Sequence, residues 1–280
     1  MNAMNAISDL RAPDLAGDRP AKISYMLPMA QKPSRYLCTP PPGAPELNWT
    51  LGEASVTMYE GRARLASLSL DQQGFTMTQA PTTMTDFYDQ EQVLKTYYPE
   101  IEQLVRKATG AQKVVVFDYN CRSGSKEDRQ RTGAFPPARF VHADYTVKSA
   151  PQRVRDLLPA AEAEARLRGR YVFINVWRPI KGPIQNDTLS LCDAQSVAAS
   201  DLVATDLIYS DRQGEFYNVT FNANHRWHYF RHLETSEVLV FVNFDSRERK
   251  VVPHVAFDDA TAAPDAPPRQ SIEVRTIAFF

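Results

Sequence analysis

Cysteine and net charge are both scarce in this 280-residue chain. Its three cysteines, Cys38, Cys121 and Cys192, lie far apart, include no Cys-x-x-Cys pair and are odd in number. This pattern argues against a disulfide framework and a thiolate zinc site, and it fits a reducing compartment. Lysine plus arginine (32) nearly equal aspartate plus glutamate (33), and no basic block is present. Neither nucleic acid nor an anionic membrane is therefore an expected partner.

Long apolar runs are also missing. No stretch approaches about 18 apolar residues, and the N-terminus lacks the basic-then-apolar order of a signal peptide, so we expect a cytoplasmic protein without a membrane segment. The content of 43% hydrophobic and 23% charged residues is typical of a folded globular chain. All-β domains often use about 200–250 residues as one unit. We therefore predict a disordered arm over residues 1–20 and a single domain over 21–280.

Hydrophobic periodicity predicts two helices and a series of short strands. Apolar residues recur every three to four positions over 86–109 and 150–169, and each run stops at a glycine. β-prone runs predict strands at 114–117, 171–178, 188–192, 216–221, 227–230, 237–244, 251–257 and 271–280. Irregular sequence predicts loops at 75–87 and 120–131. Because no βαβ alternation is present, the pattern favours a mainly β fold, an antiparallel barrel or sandwich with flanking helices.

A His-x-Asp pair lies in residues 139–146 (RFVHADYT), which read as a short strand. Alternation in a strand sends His142 and Asp144 to the same face, and it places Thr146 on that face as well. One imidazole and one carboxylate are two of the three ligands in the facial triad that holds non-haem Fe(II). The pair alone is a weak signal, so a third ligand must come from elsewhere in the chain.

Two histidines compete for the third position. His225 is nearer to the pair in sequence, but no anion-binding strand follows it directly. His254 is followed after 15 residues by Arg269, and Arg269, Ser271 and Arg275 share one face of a regular strand. Arginine binds carboxylates bidentately and stays charged. We therefore prefer His254, with His225 as the alternative.

Aromatic and basic residues supply candidate substrate contacts. Residues 225–232 (HRWHYFRH) are equally well explained as a structural hairpin over the barrel mouth or as a substrate-contacting segment. Trp177 and Arg178 occupy adjacent strand positions and face opposite ways, so one of them can line a pocket. The candidate substrate contacts are Thr146, Trp177, His225, Arg226 and Trp227.

Eight separated runs of the chain resemble one known family in the same order. These runs are 98–111, 117–118, 141–146, 175–180, 191–194, 225–227, 244–246 and 268–275. Together they are similar to the CmcJ/NvfI/AsaB-like hydroxylase/desaturase family, which belongs to the non-haem Fe(II)/2-oxoglutarate-dependent oxygenases. The resemblance spans most of the chain, and its specificity comes from the order of the runs.

The resemblance implies a fold and an activity. The expected core is a double-stranded β-helix (jelly-roll, cupin-like) over 111–280, preceded by an N-terminal extension with a helix over 21–110. The expected activity is hydroxylation or desaturation of a small organic molecule, frequently a secondary metabolite, with Fe(II), 2-oxoglutarate and O₂. The implied catalytic iron ligands are His142, Asp144 and His254, and the implied co-substrate contacts are Arg269, Ser271 and Arg275.

Two other functions stay open at this point. A barrel of this kind can bind a small ligand, or act as the non-catalytic partner subunit of a two-component tailoring system. It can also be a metalloenzyme that uses O₂ without 2-oxoglutarate, which would leave both arginines structural. A homodimer is considered, although the sequence does not fix the oligomeric state, the substrate or the oxidative outcome.

Overall fold

The computed structural model describes residues 17–248 and 250–280. Most of the predicted disordered arm therefore lies outside the described residues. Its last two positions, Arg19 and Pro20, were assigned wrongly, because they open a strand that pairs with residues 51–58. The single-domain organisation stays a prediction.

The described residues are mostly strands. These are β1 (Arg19–Met26), β2 (Ser34–Tyr36), β3 (Leu51–Glu60), β4 (Phe75–Gln79), β5 (Lys113–Ser123), β6 (His142–Ala143), β7 (Tyr171–Lys181), β8 (Thr188–Cys192), β9 (Leu202–Ile208), β10 (Gln213–Val219), β11 (Trp227–Tyr229), β12 (Glu237–Asp245), β13 (His254–Phe257) and β14 (Gln270–Phe279). The helices are α1 (Gln90–Gln92), which continues through a π-helical turn (Val93–Tyr97) into α2 (Tyr98–Thr109), then α3 (Lys126–Thr132), α4 (Ser149–Leu157) and α5 (Ala160–Leu167).

Two sheets form the core of the described chain. One has nine strands in the order β1-β3-β11-β8-β13-β6-β10-β9-β2, and the other has five in the order β4-β12-β7-β14-β5. The larger sheet curls into a half-barrel opposite the smaller one. This arrangement confirms the mainly β class and the double-stranded β-helix core. The N-terminal strands β1 to β4 extend both sheets. In the larger sheet β3 pairs with β11, β1 pairs with β3, and β2 pairs with β9, whereas β4 pairs with β12 in the smaller sheet.

Helix α2 and the π-helical turn before it cover the outer face of the five-stranded sheet. Helices α4 and α5 pack on other residues of β7 and β14 in a separate cluster. Val93, Tyr97, Ile101 and Val105 form one apolar stripe, which packs on a cluster that contains residues of β7, β12 and β14. Gly110 ends α2 in the left-handed conformation, as predicted (φ 71°). Strands β7 and β12 are buried almost throughout, which explains their nearly continuous apolar sequence. Their other faces are then free to line the interior between the sheets.

Several sequence-based boundaries were wrong. The helix predicted over 150–169 is two helices, because Pro159 cannot continue α4 and instead precedes α5. The loop predicted over 120–131 is the end of β5 followed by α3, and the loop at 75–87 contains β4. Strand β9 was missed. The end of β5 was assigned to a loop because its polar side chains face the interior, so residues 120–123 lacked the apolar pattern of a strand.

No helix in the described ranges is long and apolar enough to cross a membrane.

Candidate metal centre and co-substrate pocket

Three potential metal ligands meet between the two sheets. His142 lies on β6, Asp144 follows directly after it, and His254 begins the neighbouring strand β13, where it pairs in register with His142. One ligand atom from each residue lies within 4.8 Å of the others. Asp144 Oδ1 is 3.8 Å from His142 Nε2 and 3.9 Å from His254 Nε2. Two imidazoles and one carboxylate in this arrangement match the donor set of a non-haem iron centre.

Backbone carbonyls orient both imidazoles. His142 Nδ1 lies 2.9 Å from the Phe140 oxygen, and His254 Nδ1 lies 3.2 Å from the Val252 oxygen. A carbonyl can only accept, so each Nδ1 carries the proton and each Nε2 keeps a free lone pair. Metal-binding histidines are commonly fixed in this way. Both Nε2 atoms are therefore prepared for a cation at the point that Asp144 Oδ1 also faces.

Three side chains of the five-stranded sheet hold the other oxygen of Asp144. Its Oδ2 accepts hydrogen bonds from Asn175 Nδ2 (2.9 Å), Asn243 Nδ2 (3.1 Å) and Arg275 Nε (2.9 Å). Asn243 also accepts a bond of 2.7 Å from the Asp144 backbone N–H. The carboxylate is thus fixed with Oδ2 occupied and Oδ1 free, which favours a single metal–oxygen bond.

The charge states of the three groups suit metal binding. Burial is the main reason that the pKa of His142 is lowered to about 4, and the neighbouring His254 adds to the effect. Burial also lowers the pKa of His254. For Asp144, burial alone would raise the pKa, but Arg275 and the two histidines outweigh it and the pKa is lowered. Near pH 7 the site holds two neutral imidazoles and one carboxylate.

Arg269 and Trp177 border a narrow cavity beside the metal ligands. The cavity is lined by both histidines, Arg269, Trp177, Arg122 and Glu273. Arg269 is only 2% exposed, and its Cζ lies 5.4 Å from the centre of the Trp177 ring. Its Nη1 donates to the Asp187 carbonyl at 2.5 Å, whereas its Nε has no partner within residues 17–248 and 250–280. Burial, together with Arg122, lowers the pKa of Arg269 to about 9.

Ser271 and Arg275 lie on β14, which begins one residue after Arg269. The Ser271 hydroxyl is buried and also has no partner among the described residues. Arg275 is engaged differently, because its three nitrogens donate to Asp144, Asp118 and Glu273 at 2.9 to 3.1 Å. These carboxylates outweigh burial, so the pKa of Arg275 is raised well above its ordinary value. The co-substrate contact predicted for Arg275 stays untested, and its charge is already matched by carboxylates.

A larger cavity of about 990 Å³ opens next to the metal ligands. His142 lines both cavities and Asp144 lines the larger one, so the two spaces meet at the metal centre. A cavity of this size accommodates a small organic molecule. Its apolar wall includes Phe135, Pro136, Pro137, Phe140, Tyr209 and Phe216.

The structure places four of the predicted substrate contacts outside both cavity walls. Thr146 is not on the metal face, because β6 ends at Ala143 and strand alternation stops there. Its hydroxyl donates to Glu215 at 2.5 Å and accepts a bond of 3.0 Å from the Ser149 N–H at the start of α4.

The side chains of His225, Arg226 and Trp227 are held by contacts with other residues of the protein. His225 lies between Tyr25 and Asp201, at 3.0 and 3.1 Å. Arg226 pairs with Asp193 at 2.9 Å, and Trp227 Nε1 donates to the Tyr25 hydroxyl at 2.7 Å. His225 is therefore engaged elsewhere, and His254 completes the three-residue group.

Four polar residues of the site were not identified from the sequence. Asn175 and Asn243 interrupt the apolar runs of β7 and β12, and a lone buried amide in such a strand was the available signal. Glu273 shared the face predicted for Arg269 and Arg275. Arg122 lay in a segment assigned to a loop, so its direction was not predictable.

Comparison with known proteins agrees with this geometry. A family model described as "Oxidoreductase/YMDC permease-like domain" matches residues 23–279. The alpha-ketoglutarate-dependent dioxygenase phiK of a fungal species is 32% identical over 79% of this chain and 82% of its own length. The Fe(II)/2-oxoglutarate-dependent dioxygenase nvfI of Aspergillus novofumigatus is 30% identical, over 87% and 90%. The hydroxylase/desaturase efuI of Hormonema carpetanum is 31% identical, over 80% and 83%.

Solved structures show the same fold. The iron and alpha-ketoglutarate-dependent endoperoxidase NvfI superposes with a TM-score of 0.84 at 25% identity, covering 94% of this chain and 98% of its own. Taken together with these relatives, the double-stranded β-helix and the His-Asp-His group between its sheets identify a non-haem Fe(II)/2-oxoglutarate-dependent oxygenase. The chain belongs to this oxidoreductase family, within the NvfI-type hydroxylases and desaturases. It is an enzyme of secondary metabolism that uses Fe(II), 2-oxoglutarate and O₂ on a small-molecule substrate, and neither alternative function is supported.

Proposed function

We propose that His142, Asp144 and His254 hold Fe(II), and that Arg269 and Ser271 bind the far carboxylate of 2-oxoglutarate. The substrate is then hydroxylated or desaturated in the larger cavity. When bound, Fe(II) and 2-oxoglutarate supply the oxidising chemistry, with O₂ as oxidant and succinate and CO₂ as co-products.

The observation that carries this proposal is a pair of buried polar atoms without partners. Arg269 Nε and Ser271 Oγ have no hydrogen bond in the described part of the chain, although buried polar groups are normally satisfied. Arg269 lines the same narrow cavity as the two metal-facing histidines. A dicarboxylate that reaches from the metal into this cavity would satisfy both groups and neutralise the buried guanidinium.

The protein's own residues divide the remaining work. Each histidine offers Nε2, and Asp144 offers Oδ1. Arg275 and the two asparagines keep Asp144 Oδ2 occupied, so we assign Arg275 to positioning this carboxylate. Trp177 packs on the Arg269 guanidinium and excludes water from its apolar side.

Arg269→Gln tests the co-substrate assignment. We expect it to weaken 2-oxoglutarate binding to the anaerobic Fe(II) protein at least 100-fold, as measured by isothermal titration calorimetry, because the charged bidentate donor is lost. Arg269→Lys should retain part of the affinity. Arg62→Gln is the matched control, since Arg62 pairs with Glu237 away from the cavities. Unchanged affinity in Arg269→Gln would contradict the assignment.

We also propose a cytoplasmic location and a homodimer. The three cysteines are free thiols, which fits a reducing compartment. Light scattering coupled to size-exclusion chromatography tests the assembly: a homodimer gives twice the chain mass of 31.6 kDa, and a monomer gives that mass itself.

A further inference from the structure

The larger cavity carries an excess of positive charge. Seven arginine or lysine side chains and four carboxylates line it. Arg35, Arg139 and Arg275 form ion pairs with carboxylates. Within residues 17–248 and 250–280, the other four cations form none: Arg122, Lys148, Arg153 and Arg212. Cations that line a cavity without a carboxylate in an ion pair attract an anionic ligand.

Arg122 is the innermost of these four cations. It lies on β5 and lines both cavities, so it borders the space between the metal ligands and the substrate cavity. Its Nη1 donates to the Pro136 carbonyl at 2.7 Å, which is a neutral partner. Burial lowers the pKa of Arg122. Arg122 is half-buried, and the charges of Glu273 and Asp144 act on its guanidinium without forming an ion pair with it. An anionic ligand in direct contact would therefore stabilise it further.

The other three cations line the larger cavity but not the narrow one. The Arg153 Cζ is 5.1 Å from the centre of the Phe117 ring, and the Arg212 Cζ is 3.9 Å from that of Tyr209. Stacking on a ring fixes the guanidinium plane and leaves its N–H groups available to a ligand. Lys148 is exposed at the start of α4.

Aromatic rings and prolines supply most of the apolar surface of the cavity wall. Phe135, Phe140 and Phe216 contribute rings to it, and Pro136 and Pro137 contribute further apolar surface. An ionic ligand without an apolar part would leave this surface without contacts, whereas an apolar ligand without charge would leave Arg122 unpaired. Both features are satisfied by one amphipathic molecule.

We propose that the substrate is an organic anion, with an apolar body held by the aromatic wall and a carboxylate-like group bound by Arg122. Lys148, Arg153 and Arg212 attract this anion to the larger cavity and add to its affinity. This inference rests on the proposed function, because it assigns the larger cavity to the substrate.

Two fluorescent probes with the same aromatic skeleton test this inference. 8-Anilinonaphthalene-1-sulfonate carries a sulfonate, and N-phenyl-1-naphthylamine is its neutral counterpart. Each is titrated into the full chain after anaerobic loading with Fe(II) and 2-oxoglutarate, so that the co-substrate already occupies Arg269. We expect the sulfonate to bind at least tenfold more tightly than the neutral probe.

Variants assign the effect to Arg122. Arg122→Gln should weaken the sulfonate about tenfold and leave the neutral probe within twofold, while Arg122→Lys should keep most of the sulfonate affinity. The control is Arg155→Gln, which removes the same charge from α4 at a side chain paired with Glu164 away from the cavity. It should leave both probes unchanged.

Three results would overturn the inference. The first is equal affinity for the two probes in the wild type, and the second is an equal loss for both probes in Arg122→Gln. The third is an Arg122→Gln protein that binds the sulfonate normally but has lost affinity for 2-oxoglutarate, which would assign Arg122 to the co-substrate. Failure of Fe(II) and 2-oxoglutarate to bind would instead contradict the proposed function, and the probe titrations on unloaded protein would still test the charge preference.

Discussion

The carboxylate of Asp144 joins the two sheets at the metal centre. Its Oδ1 faces histidines on the nine-stranded sheet, and its Oδ2 accepts from residues on β7, β12 and β14 of the other sheet. Residues that orient a metal ligand typically matter 10–100-fold for affinity. The geometry of the site therefore depends on side chains that would not touch the metal.

Asn243→Ala tests this dependence. The Asn243 side chain donates to the Asp144 carboxylate and accepts from the Asp144 backbone N–H, so we expect its loss to lower Fe(II) affinity about 10–100-fold. The measurement is anaerobic Fe(II) titration with a competing chelator. In the control Asn222→Ala, an asparagine–aspartate contact is lost away from the site, since Asn222 donates to Asp201. Equal Fe(II) affinity in Asn243→Ala and wild type would show that Asp144 needs no such support.

Burial of the histidines makes the stability of the metal-free protein depend on pH. The folded pKa of His142 is about 4, below the unfolded value of about 6.5, so the unfolded chain binds the proton first as pH falls. The stability contribution is fully present above about pH 6.5 and is lost toward pH 4. Between pH 7.5 and 5, urea unfolding should show a loss on the order of 2 kcal/mol larger in wild type than in His142→Gln.

The exposed His232 provides the comparison for this pH effect. His232→Gln should keep the wild-type pH dependence of the unfolding free energy. If His142→Gln and His232→Gln behave alike, burial of His142 does not control the acid sensitivity.

At the scale of elements, β14 separates two functions on its two faces. Arg269, Ser271 and Arg275 face the interior, whereas Ile272 and Val274 are buried in the core cluster with the helical stripe of α2. The strand lies between β7 and β5 over nearly its whole length. The co-substrate residues are thus carried by a strand with partners on both edges, which limits their movement.

Two glycines with positive φ differ in how much space their surroundings leave for a side chain. Gly74 precedes β4 and Gly110 ends α2, with φ of 85° and 71°. A Cβ on Gly74 would lie 2.5 Å from a Val252 methyl group, whereas a Cβ on Gly110 would meet nothing within 4 Å. Gly110→Ala should cost about 1–2 kcal/mol from backbone strain alone, and Gly74→Ala should cost about 1–3 kcal/mol more from overpacking. Urea unfolding measures both, and equal losses would mean that Val252 moves aside without cost.

At the scale of the whole molecule, the sequence predicted the grouping of His142, Asp144 and His254 better than the contacts around it. His142 and Asp144 were recognisable from their spacing, and His254 from the arginine strand that follows it, because each ligand is tied to a strand with a readable pattern. The contacts of His225 and Trp227 were not predictable, since both reach Tyr25 on β1, about 200 residues away in sequence. Such long-range contacts between strands leave no local signal.

The N-terminal segment shows the same limitation. Strands β1 and β3 pair with each other, and β3 also pairs in parallel with β11, which makes residues 227–229 part of a wide sheet. From the sequence alone, residues 225–232 were explained equally well as a structural hairpin over the barrel mouth and as a substrate-contacting segment. The loop assignment of 120–131, which includes Arg122, was wrong for a related reason, because interior polar residues on β5 resemble a solvated loop.

The most direct test of the central claim is an anaerobic titration of the Fe(II) protein with 2-oxoglutarate, followed through the weak visible charge-transfer band of the chelate. Wild type is compared with His254→Ala and His225→Ala. We predict a band in wild type and in His225→Ala and none in His254→Ala, which would assign the third ligand and the co-substrate together. A band that survives in His254→Ala but disappears in His225→Ala would contradict the metal centre described above, and an iron-loaded wild type without any band would contradict the co-substrate site.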